Sequence, residues 1–188
     1  ARAGYRAEMT LKCNNLVDQQ LTRKLYEASQ AGVEIRLIVR GMCSLLPGVK
    51  GISENIEAIS IIDRYLEHPR VYVFHNRGDP EYLLGSADLM TRNIDYRVEV
   101  LCPISDARVQ GQLQDILDQQ WHDNVKARVL DGDQSNRLRP RGKTTPTLQS
   151  QEKIHRYLTS GKKPRMPRSL MKRASRRRRA QVASGRGE

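Results

Sequence analysis

The chain has 188 residues, enough for one core of ordinary domain size and crowded for two. Its 33 lysines and arginines against 21 acids give a formal charge of +12, yet positions 1–150 hold 20 basic and 19 acidic side chains while positions 151–188 hold 13 and 2. The basic character therefore belongs to the C-terminal end and says little about the globular part. No apolar run reaches the roughly 18–20 residues of a membrane-spanning helix, and no signal-peptide core opens the chain. Cys13, Cys43 and Cys102 are dispersed, without a CxxC pair or a histidine at metal-ligand spacing. They read as reduced thiols of a cytoplasmic protein rather than a zinc site or a disulfide framework; peripheral attachment to a membrane stays open. Ala1 begins a polar segment with no initiator methionine, as a piece of a longer polypeptide would.

Residues 5–13 alternate as a strand should. A helix follows with Leu16, Leu21, Leu25 and Tyr26 on its apolar side, Asn15 or Asp18 to cap its start and Gly32 to end it. Residues 33–39 (VEIRLIV) are a β-branched run of the kind buried in a parallel sheet. Strand, helix and strand in this order predict an α/β domain. Gly41, Pro47, Gly48 and Gly51 then break the pattern into a long loop. Residues 56–62 and 70–74 are short strands separated by a turn or brief helix at 63–68, and residues 82–85 and 97–103 supply two more. An amphipathic helix places Val109, Leu113, Ile116, Leu117 and Trp121 on its packing stripe, and residues 125–130 close as a last strand.

The composition changes near Arg141. Residues 1–142 read as the domain, 143–161 as a linker with one short helix, and 162–188 as a disordered basic tail too poor in apolar side chains to offset its ordering entropy. The four consecutive arginines at 176–179 suit nonspecific binding of polyanions through counterion release.

Two short motifs fit their families poorly. Gly142, Lys143 and Thr144 look like the end of a phosphate-binding P-loop, but Arg137 stands where its first glycine belongs and prolines flank the site. His75, Asn76 and Arg77, followed by GSADLMTRN at 85–93, resemble the H-x-K and G-S-x-N signature of phospholipase D-like phosphodiesterases. There the lysine binds phosphate and the histidine attacks it. Here Arg77 replaces the lysine, Asp88 stands where asparagine is expected, and no second copy occurs. Such a degenerate copy implies the fold without the nucleophile.

A longer series of motifs is more specific. NNLVD (14–18), GVEIRLIVRG (32–41), CSLLPGVKGISENI (43–56), DRYLEH (63–68), FHN (74–76), SADLMTRNIDYRVEV (86–100), VKAR (125–128) and SNRLRPRG (135–142) together closely resemble the C-terminal part of bacterial polyphosphate kinases. The resemblance implies a phospholipase D-like mixed α/β sheet flanked by helices, the second of two such domains. It implies reversible transfer of the terminal phosphate of ATP to inorganic polyphosphate, with magnesium, through a phosphorylated histidine that belongs to the first domain. The ligands would be ATP or ADP and polyphosphate, and the partners the remaining kinase domains and further copies of the chain. Alone, this chain is then expected to be inactive. In the family the arginine of VRG and the histidine of LEH contact nucleotide phosphates, which implies Arg40 and a catalytic His68, with Arg97 and Glu99 of YRVEV near the site.

The chemistry of these side chains agrees with those roles. Phosphoryl transfer asks for positioning and charge neutralisation, and a guanidinium matches two phosphate oxygens at once. Arg40 follows a strand, where α/β sheets bind ligands, and His68 is suited either to stabilise charge as a cation or to relay a proton. Arg97 and Glu99, two apart on an expected strand, would share a face, with Glu99 orienting an arginine. Without the family, Arg40 is an ordinary solvated arginine, His68 before Pro69 a turn residue, and Arg97 with Glu99 a surface ion pair. Two other functions remain in view: a phosphodiesterase acting through His75, and a noncatalytic polyanion-binding module acting through the tail.

Overall fold

The computed structural model describes residues 1–161, Lys163 and Pro164. Three parallel strands form the middle of the sheet: β1 (Glu8–Cys13), β2 (Glu34–Val39) and β3 (Ile56–Ile61). Antiparallel strands extend it on both sides: β4 (Arg70–Phe74), β5 (Glu81–Gly85) and β6 (Leu101–Pro103) beyond β1, and β7 (Ala127–Leu130) beyond β3. The resulting order is β6-β5-β4-β1-β2-β3-β7.

Period-two alternation in β2 explains how the sheet is covered. Ile35, Leu37 and Val39 join Leu11, Cys13, Leu16 and Leu25 in a core that includes helix α1 (Gln19–Gln30). Ile38 joins Ile59, Ile61, Val71 and Val73 in a second core, where Leu117 and Trp121 of helix α3 (Ala107–Trp121) pack on the opposite face. The caps follow local chemistry. Asp18 accepts from the Leu21 N–H at 2.8 Å and starts α1, while Gly32, at φ +87°, supplies the left-handed turn after it. Helix α4 (Ser150–Thr159) lies against α3, where the Tyr157 hydroxyl donates to Asp115 at 2.9 Å.

Several expectations change. The strand expected over 97–103 shrinks to β6, because pairing starts only at Leu101 opposite Gly85. Val98 is fully exposed and Tyr96 largely so, so the alternating residues before β6 cover no core. Arg97 and Glu99 therefore share no strand face. A short helix, α2 (Thr91–Asp95), precedes them. The first strand starts at Glu8 rather than residue 5, and where a turn or brief helix is expected at 63–68 the chain forms an irregular segment that bends at Arg64 and Tyr65. On α3, Val109 is exposed while Gln110 and Gln120 are buried, so the stripe is partly polar. The disordered basic tail expected over 162–188 lies outside the described residues apart from Lys163 and Pro164. Among the described residues no helix is long and apolar enough to cross a membrane.

Candidate functional site

Strand register builds the site. Cys13 of β1 pairs with Val39 of β2, Lys12 pairs with Val71 of β4, and Arg70 pairs with Gly85 of β5. The carboxyl ends of β1, β2 and β5 therefore meet the amino end of β4 along one edge. The residues that leave those ends, Asn14 and Asn15, Arg40, Ser86, and His68 with Arg70, line a cleft of about 580 Å³. Asp88, Arg92, Asn93, Arg97 and Glu99 complete its wall from the segment between β5 and β6.

Asp88 is the centre of the hydrogen-bond network. Its carboxylate receives Arg70 through Nε at 3.1 Å and Nη2 at 3.0 Å, the Asn14 and Asn15 backbone N–H groups at 2.8 and 3.3 Å, and Asn15 Nδ2 at 3.2 Å. Burial is the largest single influence on this carboxyl and opposes its charge. The bonds from Arg70, Asn14 and Asn15 together prevail and hold its pKa below the ordinary value. Arg70 in turn bonds His68, with Nη1 2.6 Å from the ring Nδ1 and 2.9 Å from the backbone carbonyl. Arg40 donates through Nε to Asn14 Oδ1 at 2.9 Å, and Gly41 N–H donates to the Asn14 carbonyl at 2.6 Å. That approach is why glycine follows Arg40: a Cβ there would lie 2.6 Å from Asn15 Oδ1.

Glu99 behaves differently from the sequence expectation. It accepts from the Ser86 hydroxyl and from Asn93 Nδ2, rather than orienting an arginine. Those two bonds, Ser86 first, hold its pKa below the usual range, with smaller help from the charges of Arg97 and Arg70. Arg92 and Arg97 are exposed at the rim. Asn14 is 3% exposed, and its Nδ2 has no hydrogen-bond partner among the described residues.

All four residues singled out in the sequence, Arg40, His68, Arg97 and Glu99, line this one cleft. Asn14, Asn15, Arg70, Asp88, Arg92 and Asn93 were missed. One signal was available: His68, Pro69 and Arg70 repeat the histidine, spacer and basic residue found at His75, Asn76 and Arg77. The register decides between them. Arg70 faces Gly85 at the cleft, whereas His75 follows the other end of β4, donates its N–H to the Glu8 carbonyl and is absent from the cleft wall. Asp88 stands two residues beyond Ser86 and supplies the carboxylate that meets Arg70.

The family model for the polyphosphate kinase C-terminal domain 2 matches residues 1–151. The chain belongs to the polyphosphate kinase family. Polyphosphate kinase of Vibrio vulnificus (strain YJ016) is 56% identical over 163 residues, which are 87% of this chain and 23% of the relative. That of Escherichia coli (strain K12) is 52% identical over 164 residues, again 87% of this chain and 24% of the relative. The crystal structure of polyphosphate kinase from Porphyromonas gingivalis superposes with a TM-score of 0.81 at 41% identity, over 85% of this chain and 24% of that one. The chain thus spans about a quarter of the length of the polyphosphate kinases it matches. Nuc from Salmonella typhimurium, a phospholipase D family member, aligns over 70% of this chain and 86% of its own with a TM-score of 0.51 at 10% identity, a likeness of fold alone. The phospholipase D-like mixed sheet expected from the motifs is the fold of this domain.

Proposed function

We propose that this domain supplies the nucleotide- and phosphate-binding wall of an ATP:polyphosphate phosphotransferase. The observation that carries the reading is the charge state of the cleft. Four arginines, Arg40, Arg70, Arg92 and Arg97, face two carboxylates, and both carboxylates are already committed to donors within the domain. What remains toward a ligand is cationic, and the unpartnered Asn14 Nδ2 beside Arg40 adds a buried donor. Phosphate oxygens suit this set. With Nε bound to Asn14, and no bond to the terminal nitrogens among the described residues, Arg40 can offer both of them in a bidentate contact.

A guanidinium only donates, so the contact from Arg70 makes His68 Nδ1 the acceptor and puts the ring proton on Nε2. Of the two roles open to His68, this geometry favours the neutral ring: Nε2–H donates to a phosphate oxygen, and Arg70 fixes the ring as charge shifts during transfer. Asp88 already accepts five hydrogen bonds and Glu99 one on each oxygen, so magnesium brought in with ATP would be held chiefly by phosphate oxygens and water. In this reading the phosphoryl-carrying histidine belongs to the preceding domain, and the chain by itself does not turn over.

The test is made in a complete kinase that carries this domain. Arg40→Ala and His68→Ala should each lower kcat/KM for ATP by at least about tenfold with the circular dichroism spectrum unchanged; wild-type kinetics in both would refute the assignment. A phosphodiesterase acting through His75 finds no support in the position of that residue outside the cleft. A polyanion module acting through the tail would lose ATP binding when residues 162–188 are deleted, whereas the cleft reading has binding survive the deletion and fail with Arg40→Ala.

A further inference from the structure

The loop that carries His68 has almost no apolar anchor. Between β3 and β4, Ile62, Tyr65 and Leu66 are 70%, 62% and 75% exposed, so burial does not hold the loop in place. Its fixed points are polar, and several come from the start of α4, some 80 residues further along the chain. Tyr65 N–H donates to Gln151 Oε1 at 2.9 Å, and Gln151 Nε2 donates back to the Tyr65 carbonyl at 2.8 Å and to Glu67 Oε1 at 3.1 Å. Gln149 Nε2 donates to Asp63 Oδ2 at 2.7 Å.

The paired bonds between the Gln151 amide and the Tyr65 peptide imitate one rung of a sheet ladder. They give the Tyr65 N–H and the Tyr65 carbonyl, in an irregular segment, the partners that a ladder would otherwise supply. The other oxygen of Glu67, beside His68 in sequence, is bound by Lys12 Nζ at 2.8 Å and by Gln120 of α3. Glu67 is thus held from β1, α3 and α4 together. The start of α4 is itself secured, since Asp123 accepts from the Ser150 N–H through Oδ2 at 2.7 Å while its Oδ1 accepts from the N–H groups of Val125, Lys126 and Ala127. Gln149 occupies the N-cap position, yet its side chain makes no cap bond and reaches Asp63 instead.

We propose that Gln151 is a positioning residue for His68, acting through Tyr65 and Glu67, so that α4 is a working part of the phosphate site. The proposal rests on the reading of His68 as a phosphate contact. Gln151 itself is not among the residues that line the cleft. It holds the Tyr65–Glu67 backbone from which His68 enters the cleft to meet Arg70.

Two measurements on the full 188-residue chain test this. The first is amide hydrogen exchange of residues 62–69 without nucleotide. Gln151→Ala should raise exchange there by about tenfold or more; Arg156→Ala, on the same helix and paired among the described residues with Glu152 alone, should leave it unchanged. Gln151→Glu keeps the length and the acceptor for Tyr65 but sets a charge against Glu67, and it should also loosen the loop. Unchanged exchange in both Gln151 variants overturns the proposal.

The second measurement is ATP affinity by isothermal titration in a double-mutant cycle with His68→Ala. Gln151→Ala should weaken binding severalfold in the wild-type background and have no further effect in the His68→Ala background; an equal loss in both backgrounds overturns the proposal. If His68→Ala binds ATP like the wild type, the phosphate-contact reading falls, and the exchange measurement still decides whether Gln151 holds the loop.

Discussion

Removing the Asp88 carboxylate should damage the fold as well as the cleft. The Asp88 side chain is 6% exposed and that of Arg70 10%. Asp88→Ala leaves the Arg70 cation buried without its partner and takes the acceptor from the Asn14 N–H. Breaking a buried pair from one side costs about 3–5 kcal/mol, and each kcal/mol moves the melting temperature of a chain this size by about 2–4 °C. The expected fall is therefore about 6–20 °C, with a matching drop in the urea midpoint. Asp88→Asn keeps the shape and separates the charge from the packing. The sign of the pH dependence follows from the depressed pKa of Asp88. The native state holds the carboxylate more tightly than the unfolded chain, so this contribution is complete above the unfolded value near 4 and is lost as pH falls through the folded one. The stability gap between wild type and Asp88→Asn should stay constant from neutral pH down to about pH 5 and narrow below about pH 4. Urea melts across that range read it directly. A loss under about 1 kcal/mol for Asp88→Ala, or a gap that ignores pH, would show that the network carries little of the stability assigned to it.

Three further outcomes are expected. Gly41→Ala should cost about 1–3 kcal/mol, because its Cβ would lie 3.0 Å from the Asn14 carbonyl oxygen as well as against Asn15; in a complete kinase kcat/KM for ATP should fall even where the protein stays folded, and a silent substitution would show that the strand ends can part. Thiol labelling near pH 8 should modify exposed Cys102 quickly and reach Cys13 only on unfolding, since burial first and the Asp88 charge second push the Cys13 thiol up to about 12; fast labelling of Cys13 in the folded chain would contradict the packing. Asn14→Ala should weaken ATP binding beyond Arg40→Lys, because it removes both the Arg40 support and the spare donor; equal affinities would reduce Asn14 to a packing residue.

Elements with a strong local signal were legible in the sequence, and those fixed by distant partners were not. The β-branched run of β2 and the terminating Gly32 each carry their own instruction, and of the two caps the sequence offers, Asn15 and Asp18, the fold uses Asp18. The alternation at 97–100 gives the same signal as a strand, yet no neighbouring strand meets it until Leu101, so the pattern points Arg97 and Glu99 to a ladder that the fold does not form. Helix α2 is only five residues long, too short for a helical period to show. In the site, Arg40 and His68 stood out through whole motifs. Arg70 and Asp88 did not, because their pairing depends on Arg70 lying opposite Gly85 across two strands. The same dependence made His75 look like the better match to a histidine motif, although it follows the wrong end of β4.

The Arg70–Asp88 pair also bears on how this family can change. Either residue replaced alone strands a buried charge, at a cost of about 3–5 kcal/mol, a large share of the whole margin by which a domain stays folded. A route from this ionic pair to an apolar one must pass through that intermediate, so drift is blocked whether or not the reaction uses either side chain. Persistence of the two residues among relatives would then record an obstacle on the mutational path, and only kinetics could credit them with a part in the chemistry.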